Sequence, residues 1–312
     1  MIQPEVQGRL SAEDVEAVRS LVNAVTAADG VGPLSEHVML HLPRGGDEAV
    51  RNLVVRSGGE LVGYAHLDVT DAVEGSSAEL AVLPSARGQG IGRALVSALL
   101  AETPDGRLRL WAHGESPGSG ALASSMGFRK SRVLWQMRRS LADALPPVVV
   151  PEGVEIRTFA VGEDELRWTE INNRAFAAHP DQGGWGVEEV MLREAEPWFD
   201  PKGFFLAFRG DALVGFHWTK VHGALTHSHG DEAHEHGHDH PPIGEVYVVG
   251  VDPSEQGRGL GPALTLIGLH HLQEQGLDEV LLYVDESNVN AIRVYERLGF
   301  TRYATDVCWA RP

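Results

Sequence analysis

The sequence has little of three things that often indicate a function: cysteine, lysine and long apolar runs. A single cysteine, Cys308, excludes an internal disulfide framework and suits a reducing compartment. Lysine occurs only at 130, 202 and 220, and the formal net charge is −18, so the chain lacks the basic surface that nucleic acids and anionic membranes require. No apolar run reaches the length of a membrane span, and the first residues show no secretion signal. We therefore expect a cytoplasmic protein that binds neither nucleic acid nor membrane.

The sequence does contain an internal repeat, which decides how the chain is divided. The segment VLPSARGQGIGRAL returns 169 residues later as VDPSEQGRGLGPAL, and two further stretches match in the same order. The matched stretches are 60–69 with 212–221, 82–95 with 251–264, and 125–139 with 297–311. Because the period is far longer than that of a solenoid repeat, the pattern indicates a duplicated domain.

Prolines mark the boundary between the two copies. The stretch LADALPPVVVPEGV, residues 141–154, predicts an extended linker between domains at 1–140 and 155–312. Helical spacing of apolar residues predicts an early helix that contains Val15, Val18, Leu21, Val22 and Val25. Strands are predicted at 50–55, 60–69, 107–112, 203–208, 212–221 and 278–284. Strands that alternate with helices around one sheet make each domain α/β or α+β.

Each copy carries a glycine-rich turn between the end of a strand and the start of a helix. The pattern is Arg-x-x-Gly-x-Gly at 87–92 and Gln-x-x-Gly-x-Gly at 256–261. The unpaired N–H groups and the dipole of a helix N-terminus favour an anion, and glycines let the backbone approach phosphate oxygens closely. One such match arises by chance, whereas two at equal depth are a strong signal. Neither is a P-loop or a Rossmann turn, because the Gly-Lys-Ser/Thr and the ribose-binding acidic residue are missing.

These turns resemble the pyrophosphate loop of the GNAT acetyltransferases, Q/R-x-x-G-x-G/A, which binds acetyl-CoA. The second domain adds ESNVNAIRVYERLGF at 286–300, which is similar to the family's Asn, Ala and Tyr pattern on the helix beside the CoA thiol. The resemblance covers nearly all of the chain as two tandem GNAT domains. It implies a mixed central sheet flanked by helices in each domain, acetyl-CoA as co-substrate, and no requirement for a metal.

The resemblance also places acetyl-CoA on particular residues of both domains. In the second domain a strand is expected to splay open near Gly250, so that its backbone holds the pantetheine arm and polarises the thioester carbonyl. The residues implied there are Val249, Gly250, Val251, Gln256, Gly257, Arg258, Gly259, Leu260, Gly261, Pro262, Asn288, Val289, Asn290, Ala291, Ile292 and Arg293. Those implied in the first domain are Leu80, Ala81, Val82, Gly88, Gln89, Gly90, Ile91, Gly92 and Arg93.

Direct acetyl transfer needs a general base and a general acid, and the resemblance assigns both to the second domain. Glu245 is implied as the base for the acceptor amine, and Tyr295 as the acid that protonates the departing thiolate. Counted from the turn, Ser76 stands in the first domain where Glu245 stands in the second, and Glu79 lies at a different depth. Ala123 occupies the position of Tyr295. We therefore predict that the first domain is non-catalytic.

A sharper resemblance concerns the acceptor. The stretches at 172–185, 215–222 and 244–253 resemble tandem family members that acetylate the cysteinyl amine of a cysteine–glucosamine–inositol pseudodisaccharide. This implies a small polyol amine as the acceptor, held by carboxylate, ammonium and hydroxyl groups in a cleft. The residues implied are Glu36, Asp181, Lys220, Glu245 and Tyr283. We expect the chain to act as a monomer.

Residues 222–240 carry seven of the fifteen histidines, between two predicted strands of the second domain. Clustered histidine can bind Zn²⁺ or Ni²⁺, but we expect a solvated loop with incidental metal affinity, since the GNAT reaction needs no metal. Three alternatives to the proposed acetylation remain. The chain could acetylate another amine, such as an aminoglycoside or a peptide N-terminus. It could be a non-catalytic acetyl-CoA sensor, or a metal-binding protein built around the histidine loop.

Overall fold

The structure, a computed structural model, describes residues 2–35, 38, 39, 42, 50–70, 75–104, 106–114, 117–177, 184–222 and 242–311. The chain divides into two compact units. Unit 1 consists of Met1–Trp135, Asp285–Asn288 and Ala304–Pro312, and unit 2 consists of Gln136–Val284 and Val289–Tyr303. Among the helices of the described ranges, none combines the length and the apolar character needed to cross a bilayer.

Unit 1 is an α/β unit built on a sheet with one parallel pair. Its elements are β1 (Glu5–Gln7), α1 (Ala12–Asp29), β2 (Val50–Ser57), β3 (Glu60–Asp68), β4 (Ser76–Val82), α2 (Ile91–Glu102), β5 (Leu108–Ala112), α3 (Pro117–Ser125), the start of β6 (Arg129–Ser140) and the end of β12 (Thr301–Arg311). Its strand order is β1-β2-β3-β4-β5-β12. β4 and β5 are parallel, and β1–β2, β2–β3, β3–β4 and β5–β12 are antiparallel pairs.

Unit 2 repeats this plan. Its further elements are β7 (Glu155–Thr158), α4 (Glu165–Ala175), α5 (Val187–Glu194), β8 (Phe204–Arg209), β9 (Ala212–His222), β10 (Ile243–Val251), α6 (Leu260–Glu274), β11 (Glu279–Asp285) and α7 (Val289–Arg297). The strand order is β6-β11-β10-β9-β8-β7, with β10 parallel to β11. The predicted α/β class is confirmed, and the six predicted strands are present to within about two residues.

The ends of the two units do not follow the halves of the sequence. Residues 304–312 belong to unit 1, because Val307–Arg311 pair antiparallel with Ala112–Leu108 of β5. Residues 136–140 belong to unit 2, and Leu141 continues that attachment by donating its N–H to the carbonyl of Asp278 at 2.8 Å. Each unit therefore takes its last strand from the other half of the sequence. The linker at 141–154 stays a prediction.

Buried apolar side chains cover both faces of each sheet. In unit 1, α1 presents its predicted apolar stripe to one face, and all five residues of the stripe are buried, which confirms that helix. α2 covers the other face through Leu95 and Leu99. In unit 2 the face under α4 is aromatic: the Trp218 ring stacks on Phe204 at 4.4 Å between centroids, and Trp168 meets Phe204 edge-on at 5.5 Å. Such stacked and edge-on pairs add to the stabilisation from burial.

A histidine and a glycine fix the contact between α6 and β9 in unit 2. The buried His217 ring occupies the space where Gly268 would carry a side chain, with His217 Cε1 2.1 Å from that Cβ position. His217 Nδ1 donates to the Leu264 carbonyl at 2.7 Å. Burial lowers the pKa of His217 to about 4, so the ring is neutral in the core. Glycine is needed at 268 because the histidine fills its side-chain space.

We predict that Gly268→Ala lowers the free energy of unfolding by about 1–3 kcal/mol, because an overpacked methyl group outweighs the helix propensity of alanine. Urea unfolding followed by circular dichroism measures this change. Gly261→Ala on the same helix is the control, since its Cβ would lie 3.8 Å from Val251 Cγ2, an ordinary contact. A Gly268→Ala protein as stable as the control would show that the His217 ring can move aside.

Candidate active site

Both glycine turns adopt the conformation that the sequence predicts. Gly90 precedes α2 with φ 88° and ψ 0°, and Gly259 precedes α6 with φ 87° and ψ 0°. Gly88 and Gly257 also have positive φ angles, of 76° and 78°. Only glycine adopts this left-handed region without strain. Each turn therefore leads a strand into a helix whose first N–H groups have no partner within the helix.

In unit 2 two parallel strands part next to the turn. β10 and β11 pair at Gly244 with Val280 and at Glu245 with Leu281, and no later pair is formed between these fully described strands. From Val246 to Val251, β10 forms no further ladder pairs with β11. Glu245 stands at the closed end of this cleft, and the turn at 256–261 follows the open end of the strand. Backbone groups of such an edge can bind an extended ligand.

β10 also carries a bulge, which the sequence does not predict. Along the β9 edge the register shifts between Val246 and Val248, so that Tyr247 is the extra residue. Residues 249–251 pair regularly with β9 on this edge. Gly250 is needed for packing as well, since a Cβ there would lie 2.6 Å from Phe216 Cζ. In unit 1 the β3–β4 pairing is regular over the corresponding strand.

The Glu245 carboxylate is buried next to two basic side chains. Lys220 is its partner across the β9–β10 register, and His222 Nε2 donates to Glu245 Oε2 at 2.6 Å. Burial favours the neutral acid and raises the pKa of Glu245. The hydrogen bond from His222 and the charges of His222 and Lys220 outweigh burial, so the pKa of Glu245 lies below its ordinary value. The carboxylate is therefore ionised at neutral pH.

Lys220 is itself buried, and burial lowers its pKa against the opposing effect of Glu245. Its ammonium nitrogen lies 4.4 Å from the ring centroid of Trp198 and 5.4 Å from that of Tyr247. These aromatic faces stabilise a desolvated cation. The Tyr247 hydroxyl accepts a hydrogen bond from Arg193 Nε at 2.6 Å.

Sequence reasoning missed Arg193, Trp198 and Tyr247. Arg193 lies on α5, with its guanidinium carbon 4.0 Å from the centroid of the Trp185 ring. Tyr247, the extra residue of the bulge, belongs to the same group. The aromatic residues on both sides of 187–194 were the one feature of the sequence that could have indicated this group. No spacing rule, however, connects them with β10.

Tyr295 is a buried residue of α7, and its ring meets Phe300 edge-on at 5.8 Å between centroids. Burial raises its pKa to about 12. The phenol is consequently protonated at neutral pH and can donate a proton. The corresponding residue of unit 1, Ala123, is a buried residue of α3 with no titratable group.

The remaining residues predicted for the acceptor and the thiol end of the cofactor fall in three groups. Tyr283 on β11 is 45% exposed, and its hydroxyl accepts from Gln136 Nε2 at 2.7 Å. Asn288 precedes α7, and its N–H donates to the Asp285 carbonyl at 2.9 Å, whereas 289–293 form the first turns of α7. Glu36, Asp181 and residues 223–240 of the histidine loop lie outside the described residues.

Unit 1 encloses a cavity of about 440 Å³ at its own turn. Every residue predicted to bind acetyl-CoA there lines it except Gln89. Arg87, the first residue of the motif, also lines the cavity and forms two hydrogen bonds with Asp29, at 2.8 and 2.7 Å. This bidentate pair raises the pKa of Arg87 and neutralises its charge at the turn.

The closed end of the unit 1 cleft holds a buried charged cluster that sequence reasoning missed. β4 and β5 pair as far as Glu79 with Trp111, so Glu79 occupies the closed end, as Glu245 does in unit 2. Glu79 accepts from the N–H of Ser35 and lies 3.6 Å from His113 Nε2. His113 Nδ1 lies 3.1 Å from Asp306. Burial opposes the charge of His113, but the two carboxylates prevail and raise its pKa to about 10.

Comparison with known proteins agrees with this architecture. The acetyltransferase (GNAT) family matches residues 167–300, and an acetyltransferase (GNAT) domain matches residues 48–130. A crystal structure of a GCN5-related N-acetyltransferase from Sphaerobacter thermophilus is 25% identical, with a TM-score of 0.71 over 99% of this chain and 95% of that one. A tandem GNAT protein from the clavulanic acid pathway, 24% identical, shares the fold with a TM-score of 0.70 over 98% of both chains.

Curated relatives match over almost the whole length. A mycothiol acetyltransferase of Streptosporangium roseum is 52% identical over 98% of this chain and 98% of its own. One of Acidothermus cellulolyticus is 53% identical over 99% of this chain and 95% of its own. The predicted kinship with mycothiol synthases is confirmed. The chain belongs to the mycothiol acetyltransferase family of tandem GNAT proteins and is an acetyl-CoA-dependent N-acetyltransferase.

Proposed function

We propose that unit 2 carries out the reaction of this family on the cysteinyl amine of desacetylmycothiol, with Glu245 as general base and Tyr295 as general acid. The observation that carries the proposal is the position of Glu245, a buried carboxylate at the closed end of the β10–β11 cleft. A thioester lying along this edge would bring its carbonyl close to that carboxylate. The reaction is direct transfer, in which the amine nitrogen attacks the carbonyl carbon.

Glu245 is suited to the role of base because it is ionised before substrate arrives. The acceptor enters as an ammonium, and a carboxylate close to it can take a proton directly or through one water. The lowered pKa of Glu245 makes it a weak base in the free enzyme. When the ammonium, itself desolvated, loses its proton to the carboxylate, both charges disappear from a buried site, which favours the transfer.

The cofactor is proposed to lie along β10 with its pyrophosphate at the turn. Residues 256–262 would bind the pyrophosphate through the N–H groups at the start of α6. The β10 edge at 249–251 would hold the pantetheine arm and donate an N–H to the carbonyl oxygen in the transition state. Residues 288–293 would line the thiol end, where Tyr295 on α7 protonates the departing thiolate.

The acceptor is proposed to bind between groups that match a polyol amine. Lys220 and Tyr283 supply donors for sugar or inositol hydroxyls, and Glu245 faces the amine. Glu36 and Asp181 complete the proposed set. Lys220 is held against the rings of Trp198 and Tyr247, which limits its freedom before the substrate arrives.

Unit 1 is proposed to hold acetyl-CoA without transferring its acetyl group. Its cavity and turn suit the cofactor, but the Glu79 carboxylate is already engaged by Ser35 and His113. Ala123 offers no acid in place of Tyr295. We further propose that the domains correspond to 1–140 and 155–312, and that the enzyme is a cytoplasmic monomer without a metal.

The function is tested by following CoA release from acetyl-CoA with desacetylmycothiol, cysteine, an aminoglycoside and a peptide N-terminus as acceptors. We expect kcat/KM for desacetylmycothiol to exceed that for each other amine by at least about a hundredfold, because hydroxyl groups that pair with buried polar groups discriminate strongly. Preference for another amine would overturn the acceptor. Acetyl-CoA binding without any turnover would favour a sensor.

We predict that Glu245→Gln lowers kcat by about 10²–10⁴-fold, because a carboxamide cannot accept the proton. Tyr295→Phe removes the proton donor and should lower kcat by about 10²-fold. Neither change should alter the Kd of acetyl-CoA, which is measured by isothermal titration calorimetry. A variant that loses cofactor affinity along with turnover would show that its residue acts in binding or folding.

Matched changes in the two turns test the division of labour. We predict that Gly259→Val weakens acetyl-CoA binding to unit 2 by about tenfold or more, since a β-branched residue is strained by more than about 1 kcal/mol at positive φ. Gly90→Val should remove the acetyl-CoA bound by unit 1 while kcat is retained. Binding stoichiometry and turnover are measured together. Loss of turnover in Gly90→Val would contradict a non-catalytic unit 1.

A further inference from the structure

The general base and the general acid alone do not account for every proton of the reaction. An ammonium and a thioester give an amide, a thiol and one free proton. The nitrogen loses one proton before it attacks the carbonyl carbon and a second after the N–C bond has formed. The C–S bond breaks, and the thiolate takes one proton through Tyr295. One proton per turnover must therefore pass from the base to solvent.

Glu245 is poorly placed to release this proton by itself. Its side chain is only 9% exposed. The charged and titratable groups that face it are Lys220 and His222 from β9 and Tyr247 from β10, with Arg193 of α5 behind Tyr247. Lys220 is buried against two aromatic rings and is thus shielded from solvent. Burial raises the pKa of Tyr247 to about 12, so it stays protonated. These groups leave His222 as the acceptor.

We propose that His222 is the positioning residue of Glu245, which holds the carboxylate in place and conducts its proton to solvent. Its Nε2 lies 2.6 Å from Glu245 Oε2, and its side chain is 40% exposed. Among the described residues that face Glu245, His222 is the one that both contacts the carboxylate directly and is substantially exposed to solvent. This proposal rests on the role of Glu245 given above.

The transfer can be followed atom by atom. In its neutral form with the proton on Nδ1, the His222 ring accepts the proton of Glu245 Oε2 on Nε2, and the carboxylate is restored. The imidazolium then releases the Nδ1 proton to water, while Nε2 donates to the carboxylate. Between turnovers the ring returns to its first tautomer by exchange with water. A neutral imidazole can serve both steps, since it has one donor and one acceptor nitrogen.

The test compares His222→Gln and His222→Ala with the native enzyme, in buffers of low proton-carrying capacity that contain EDTA. We expect kcat to fall about tenfold to a hundredfold, as it does when the hydrogen-bond partner of a metal ligand is lost, while the Kd of acetyl-CoA is unchanged. Added imidazole should restore much of the kcat of His222→Ala, because an exposed position admits a small carrier. His270→Gln is the matched control, a histidine on α6 bonded to the Pro146 carbonyl at 2.9 Å, and should keep native activity.

The pH profile supplies a second readout. The hydrogen bond from His222 helps to hold the pKa of Glu245 below its ordinary value, so its loss should raise that pKa. The acid limb of kcat/KM, below which Glu245 is protonated and inactive, should therefore move to higher pH in both variants. A role of His222 in folding alone would move neither this limb nor the response to imidazole.

The outcomes distinguish a failure of the proposal about His222 from a failure of the proposed function. If Glu245→Gln is inactive and the His222 variants turn over like the native enzyme, the proposal about His222 is wrong and the base stands. A loss of kcat that imidazole does not restore, with an unmoved pH limb, also overturns it. If Glu245→Gln keeps full turnover, the proposed function fails first. Restoration by imidazole with a shifted acid limb supports the relay.

Discussion

A buried carboxylate needs hydrogen bonds and positive charges to stabilise it. A series of side-chain contacts in unit 2 follows from this requirement at Glu245. The β9–β10 register places Lys220 opposite it, but Lys220 is then a buried cation in its turn. The rings of Trp198 and Tyr247 lie against its ammonium group. Tyr247 is the extra residue of the β10 bulge, and Arg193 of α5 donates a hydrogen bond to its hydroxyl. Arg193 of α5 is thus connected to Glu245 through Tyr247 and Lys220.

The buried glutamate at the closed end of the cleft is stabilised differently in the two units. Both clefts close at a glutamate, but Glu79 of unit 1 is compensated by an imidazolium set between two carboxylates. His113 cannot pass a proton readily, because its pKa of about 10 keeps it charged. His222, by contrast, is exposed to water at the strand end. The two closing glutamates lie at different distances from the turn, and the exposure of the neighbouring histidine differs.

Local chemistry explains what could be predicted from the sequence. The turns and the α1 stripe depend on neighbours within a few residues, so glycine spacing and helical periodicity were sufficient. Glu245 and Tyr295 came from family resemblance, since spacing alone does not distinguish them from ordinary strand and helix residues. Arg193 and Asp306 could not be found, because their contacts depend on a bulge and on a strand taken from the far end of the sequence.

The residues of the glycine turn can differ between the two units with less effect than the side chains at the closed end of the cleft. Phosphate would be held by backbone N–H groups, which any residue supplies as long as glycine keeps its positive φ. The first motif residue can therefore be Gln256 in one unit and Arg87, neutralised by Asp29, in the other. Proton transfer depends instead on side chains at fixed distances, so one lost residue ends it. A duplicated domain can keep cofactor binding in both copies while only one retains the base, the acid and an exit for the proton.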